Sequence, residues 1–173
     1  MKTRTWLIPL LCACLSIPLL ARGDEDEEGE EEEHHERGGK GGPALRTALA
    51  SPEWPTYVKE CGSCHMAFPP AMLPAKSWKA LLGGLTDHFG ENAELDAPTR
   101  ARLEAFLSTS AGSDVPGPTP LRITTLPSWI REHREVGAST YKRKSILTPA
   151  NCGACHPGAN QGAFGEHQVK IPR

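Results

Sequence analysis

The sequence predicts a mainly α-helical protein built from two small domains. Three observations carry this expectation. Apolar residues recur at helical spacing, as at Trp78, Leu81, Leu82 and Leu85, whereas the alternation expected of strands is nearly absent. A Gly/Pro-rich stretch from Gly112 to Pro120 divides the chain. Core formers are also scarce: only 24 of the 150 residues after position 23, or 16%, are Leu, Ile, Val or Phe. That lies below the roughly 20% under which a highly charged chain is usually disordered. Either much of this 173-residue chain does not fold, or something other than its side chains fills the core.

Residues 1–23 read as a secretory signal peptide: Lys2 and Arg4 precede an apolar run from Trp6 to Ala21, and Ala21-Arg22-Gly23 offers a small-residue cleavage site. Pro9 and Pro18 interrupt the run, which is shorter than the roughly 20 residues that span a bilayer. An uncleaved anchor, or a lipoprotein site at Leu11-Cys12-Ala13-Cys14, is the weaker reading. The mature chain is expected to be periplasmic, without a membrane span. Residues 24–43 read as a disordered acidic tail and Gly-rich linker, with ten acidic residues in the thirteen from Asp24 to Glu36. His34 and His35 could catch a metal ion, but read as a solvated pair within it. The net charge of -2 thus averages an acidic tail against residues 37–173, which hold 16 Lys plus Arg and 11 Asp plus Glu.

The N-terminal domain, 44–113, is expected to carry helices over 55–65, 76–89 and 97–109. Pro55 suits a first helical position, and Val58, Cys61 and His65 follow at helical spacing. Leu81, Leu85 and His88 share a face of the second helix, which Phe89-Gly90 closes. Asp96 caps the third. After a linker at 114–120, the C-terminal domain, 121–173, is expected to be irregular, with short helices over 128–136 and 149–156; Thr148 and Pro149 open the last and Pro157 ends it.

Cys12 and Cys14 leave with the signal peptide. The remaining four cysteines stand in Cys61-Gly62-Ser63-Cys64-His65 and Cys152-Gly153-Ala154-Cys155-His156, two copies of Cys-x-x-Cys-His. Positions i, i+3 and i+4 of a helix share one face, so two thiols and an imidazole converge on one flat object. A haem fits: the thiols add across its vinyl groups as thioethers, and His65 or His156 becomes the proximal iron ligand. A single four-thiolate zinc site is disfavoured, because the pairs lie 91 residues apart and each is followed by histidine. A thioredoxin-like dithiol would need a βαβ context, which is lacking. Two haem c groups, with their iron, are the expected cofactors. They would also supply the missing core.

The second axial ligand of each iron sets potential and chemistry. Met66 is tied to the proximal side by His65, and Met72, in a proline-rich loop, reads as filler. Outside the tail and the motifs, His88, His133 and His167 are left. His88 lies on an apolar face, where the plain alternative is a satisfied core histidine. It is the candidate for the haem at Cys61 and Cys64. His133, one turn after Trp129, is the candidate for the haem at Cys152 and Cys155. The alternatives there are a surface role for His133 and ligation by His167, whose segment lacks helical periodicity. Bis-histidine coordination at both haems predicts low-spin iron and potentials below those of histidine/methionine sites.

These residues resemble the small bacterial dihaem cytochrome c family. The resemblance runs from about Tyr57 to Arg173. It includes Glu60-Cys-Gly-Ser-Cys-His-Met-Ala-Phe-Pro-Pro, Ser77-Trp78, His88-Phe-Gly-Glu-Asn-Ala, Trp129 with His133, Asn151-Cys-Gly-Ala-Cys-His-Pro and the closing Val169-Lys-Ile-Pro. It implies an N-terminal domain similar to class I cytochromes c but with bis-histidine ligation, and a C-terminal haem domain of less regular structure. Its ligands map to His65, His88, His133 and His156. It also implies an exported electron carrier, not an enzyme, whose partners are a monohaem cytochrome or a membrane cytochrome b. The acidic tail falls outside the family pattern.

No nucleophile-base constellation or nucleotide-binding glycine motif is present, and no nucleic-acid partner is expected. The chain is expected to be monomeric. Lys142-Arg143-Lys144 is the densest basic cluster and would steer an acidic redox partner or simply form a solvated loop. The rival from another class is a haem reductase or peroxidase with one open axial site. A sensor or haem-delivery module is a second rival, although thioether bonds would prevent release of the cofactor.

Overall fold

The computed structural model describes residues 43–173, so the expected leader and acidic segment lie outside the described residues. Seven α-helices are described: α1 (Pro43–Leu49), α2 (Trp54–Cys61), α3 (Ala75–Gly83), α4 (Ala97–Thr109), α5 (Pro127–Glu132), α6 (Ala138–Tyr141) and α7 (Cys152–Cys155). Single 3-10 turns at 70–72, 85–87, 123–125, 159–161 and 166–168 join them. No strand forms among the described residues, which show only two isolated bridges, Pro74 with Gly112 and His88 with Glu91. The fold is mainly α, as the sequence predicts.

The helices end where local chemistry stops them. The Asp96 side chain accepts a hydrogen bond from Thr99 N at 2.9 Å and caps α4, which spans the expected 97–109. In contrast, α3 stops at Gly83, six residues early, because Gly83-Gly84 favours neither continuation nor packing. His88 then sits in a tight turn rather than on the helix. Its N–H donates to Glu91 O at 2.7 Å, and Phe89 and Gly90 between them have φ of 59° and 102°. Two successive positive φ values are the signature of a type I′ hairpin turn.

The main core forms where α2, α3 and α4 meet. Leu103 and Leu107 of α4 are fully buried against Trp78 and Leu82 of α3, with Tyr57 of α2 between them. The Tyr57 ring meets Trp78 edge-on at 6.3 Å and Phe106 at 6.0 Å. Leu126 belongs to the same cluster, and Ile123 and Trp129 pack against it, so apolar packing continues past the linker. Within the linker, Val115 O accepts from Lys76 Nζ at 3.0 Å. Gly112 N donates to Leu73 O at 2.9 Å, and a Cβ at Gly112 would run into the Ala71 carbonyl; close backbone approach demands glycine there.

Candidate functional site

The two Cys-x-x-Cys-His motifs occupy helix ends instead of continuous helices. Cys61 is the last residue of α2, and Gly62 caps it by donating to Val58 O at 2.8 Å. Cys64 and His65 therefore lie in the following turn, short of the expected helix to 65. The second motif supplies all of α7, with His156 at its C-cap. That helix is shorter than the expected 149–156 because the left-handed Leu147 and the non-helical Asn151 keep the approach out of helical geometry.

Each motif histidine faces one other imidazole. His65 and His88 have ring centroids 6.2 Å apart and planes inclined at 31°. His133 and His156 are also 6.2 Å apart, with planes inclined at 73°. Thus the chain brings His88 to the first motif and His133 to the second. His167 lies exposed in the 3-10 turn Glu166–Gln168.

Hydrogen bonds leave the ring nitrogens suited to binding a metal ion. His65 Nδ1 donates to Met66 O at 2.7 Å, and His133 Nδ1 donates to Trp129 O at 2.9 Å. A carbonyl only accepts, so Nδ1 carries the proton and Nε2 keeps its lone pair. Burial, then His65 and Arg122, push His88 toward its neutral form, and burial followed by His133 does the same to His156. The buried Nδ1 of His156 has no hydrogen-bond partner. Burial also pushes the Cys61 thiol up to about 11, with a further contribution from Glu60. That is opposite to the lowered value of a redox-active thiolate. Among the described residues no three His, Cys, Asp or Glu side chains converge as a metal site made of protein ligands requires.

Aromatic residues hold the imidazoles, and several were not legible in the sequence. Phe68 stacks on His65 at 4.9 Å and 27°, while Phe164 lies 5.3 Å from His156. Phe89 lies 4.8 Å from His88, and the Arg122 guanidinium sits 3.9 Å over the Phe89 ring. Trp129 lies flat on the His133 imidazole at 4.2 Å and 13°. Helix α5 ends at Glu132, not at the expected 136, so His133 is its C-cap and spends its ring N–H on the Trp129 carbonyl. Phe68, Phe89 and Phe164 share one sequence signal: each lies within eight residues of one of these histidines.

Two thiols three residues apart, a following histidine, and an opposed imidazole fit a covalently attached haem at each motif. A model of the dihaem cytochrome c family matches residues 57–164. The chain belongs to the dihaem cytochrome c family. As a haem c-type cytochrome of this family it carries two haem c groups with their iron and transfers electrons with redox partners. Solved structures of similar proteins agree with this dihaem cytochrome. DHC from Rhodobacter sphaeroides is 44% identical over 64% of this chain and 96% of its own, with a TM-score of 0.58. The dihaem cytochrome type c from Shewanella baltica is 37% identical over 70% of this chain and 95% of its own, with a TM-score of 0.64. No curated protein matches. Among the described residues of this dihaem cytochrome, no helix is long and apolar enough to cross a membrane.

Proposed function

We propose that this dihaem cytochrome is a periplasmic electron carrier, exported through a signal peptide cleaved near residue 23, with low-potential bis-histidine coordination at both haems. Cys61 and Cys64 hold one haem between His65 and His88. Cys152 and Cys155 hold the other between His156 and His133. The observation that carries this reading is the shared 6.2 Å spacing of the two imidazole pairs. A metal ion held by one nitrogen from each ring, with bonds of about 2.0–2.1 Å and about 1.1 Å from nitrogen to ring centre, would need centroids about 6.2–6.4 Å apart, and the His65–His88 and His133–His156 pairs fit that. Haem supplies a one-electron iron couple at each site. The chain's part is to keep the ligand set unchanged between redox states: Met66 O and Trp129 O fix two rings, and Phe68, Phe89, Trp129 and Phe164 pack the four.

His133 is favoured over His167 at the second site because its ring opposes that of His156. The domain reading follows the motifs, 44–113 for the first haem and 121–173 for the second, joined at 114–120. Redox partners are proteins, with a monohaem cytochrome and a membrane cytochrome b as the proposed pair. Low-temperature EPR on the wild type and on His88→Ala, His133→Ala and His167→Ala tests the ligands. The wild type and His167→Ala should be low spin at both haems, whereas His88→Ala and His133→Ala each convert one haem to high spin. Prompt stoichiometric binding of carbon monoxide to one haem of the reduced wild type would overturn the carrier reading in favour of an enzyme with an open site.

A further inference from the structure

We propose that residues 142–147 and 169–173, beside the second Cys-x-x-Cys-His motif, form a docking surface for an acidic electron-transfer protein. The proposal rests on the carrier reading and names the face that the carrier uses.

It starts from strain that the fold does not explain. Leu147 has a φ of 71° and is 73% exposed. Its N–H and that of Ile146 both donate to Arg143 O, at 2.8 and 2.9 Å, so Leu147 closes a turn at a position usually taken by Gly or Asn. A leucine accepts left-handed geometry only at an energetic cost, and here its side chain buries almost nothing in return. The adjacent Ile146 supplies the packing, being 1% exposed. Phe89, the other non-glycine residue with positive φ among those described, is held by the Arg122 guanidinium. A strained, exposed leucine is accounted for by a contact outside the chain.

Charge identifies the partner's chemistry. The two segments contain Lys142, Arg143, Lys144, Lys170 and Arg173 and no Asp or Glu. They lie side by side, since Arg143 Nη1 donates to Pro172 O at 2.6 Å and Ser145 Oγ donates to Arg173 O at 3.2 Å. None of these five cations takes part in the ion pairs of the described residues. Leu147, Ile171 (48% exposed) and Val169 give the same face its apolar part. An apolar patch with a single-sign charged rim suits a transient complex, in which the charges accelerate encounter and the apolar contact fixes register.

Position ties this face to the chemistry. Lys170 N donates to Cys155 O at 2.8 Å, and Asn151 Nδ2 donates to Ile146 O at 2.9 Å. Both segments are thereby stitched to the residues that anchor the second haem. A partner seated here would stand next to that haem.

The test is stopped-flow reduction of the haem-loaded full chain by reduced flavodoxin, an acidic flavin carrier, over a range of ionic strength. The wild-type rate should fall steeply with salt. Lys142→Glu/Lys144→Glu should slow it at least about tenfold at low salt and remove most of the salt dependence. The same charge change on α3 and α4, Lys79→Glu/Arg100→Glu, should alter it less than about twofold. Leu147→Gly and Leu147→Asn, which suit a left-handed position, should slow reduction several-fold without lowering Tm. Equal slowing by the two charge pairs, wild-type rates in both Leu147 variants, or no reaction between flavodoxin and a wild type that dithionite reduces would each overturn the docking surface. A chain that dithionite cannot cycle between two states would overturn the carrier reading itself.

Discussion

Tyr57→Phe isolates one hydrogen bond beneath the first haem motif. The loop from His65 to Pro74 is short of backbone donors, because Pro69, Pro70 and Pro74 have no N–H. Side chains from below satisfy its carbonyls. Tyr57 OH donates to Phe68 O at 2.7 Å, and Trp78 Nε1 donates to Pro70 O at 2.8 Å. Phenylalanine at 57 would keep the ring between Trp54, Trp78 and Phe106 and delete only the hydroxyl. A net hydrogen bond contributes about 0.5–1.5 kcal/mol, and an acceptor left without its donor raises the loss toward about 1–3. Because Phe68 is only partly buried and water can reach it, about 1–2 kcal/mol is expected. For a folded part of this size that is a drop in Tm of roughly 3–8 °C. Urea unfolding of the haem-loaded protein gives the free energy directly.

The pH dependence of that difference carries a second check. Burial holds the Tyr57 phenol well above its ordinary value near 10. A folded value raised above the unfolded one contributes stability that is complete below the unfolded value and is lost as pH rises toward the folded one. The gap between wild type and Tyr57→Phe should therefore stay level from about pH 5 to 9 and close only above about pH 10. A gap under about 0.3 kcal/mol, or one that shrinks below pH 9, would refute the account of a buried donor serving the proline-rich loop.

Leu103→Ala, at a fully buried position on α4, should cost about 2–5 kcal/mol in urea unfolding while leaving the haem spectra unchanged. Gly112→Ala must displace the Ala71 carbonyl and with it the bond from Gly112 N to Leu73 O. It should cost more than about 2 kcal/mol by the same measurement, whereas alanine at the open helical Gly83 should cost nothing or add slightly to stability. Arg122→Gln removes a positive charge beside His88 and loosens the Phe89 turn, so the potential of the haem proposed at Cys61 and Cys64 should fall more than that of its partner in a spectroelectrochemical titration. The haem-free chain, left with the small cluster around Leu103 as its core, should show little of the native helix by circular dichroism.

Legibility in the sequence followed the locality of the chemistry. Helix α4 was readable to the residue because Asp96 caps it through its own neighbour Thr99. The extension of α3 to His88 failed because apolar periodicity continued through Gly83-Gly84 while the backbone did not. His133 read as a mid-helix residue; in the structure its imidazole bonds the Trp129 carbonyl four residues back, and the helix ends there. The pairings that hold the sites span distances at which sequence carries no register: Tyr57 with Phe68, Phe89 with Arg122, Lys76 with Val115. Helix α1 was missed as well, because Pro43 and its preceding glycines read as the end of a linker rather than as a helix start.

The cluster that joins Leu103 and Phe106 to Leu126 has a kinetic meaning. Trp129 packs against that cluster on one side and lies on His133 on the other, so the second imidazole pair is braced by the same apolar mass that supports the first. Motifs 91 residues apart in sequence are thereby held at a set separation by close packing, which yields little to solvent motion. An electron passing between the two proposed haem sites would then meet a gap of constant width. Its rate should follow driving force and temperature, and thickening the solvent with glycerol should leave it unchanged.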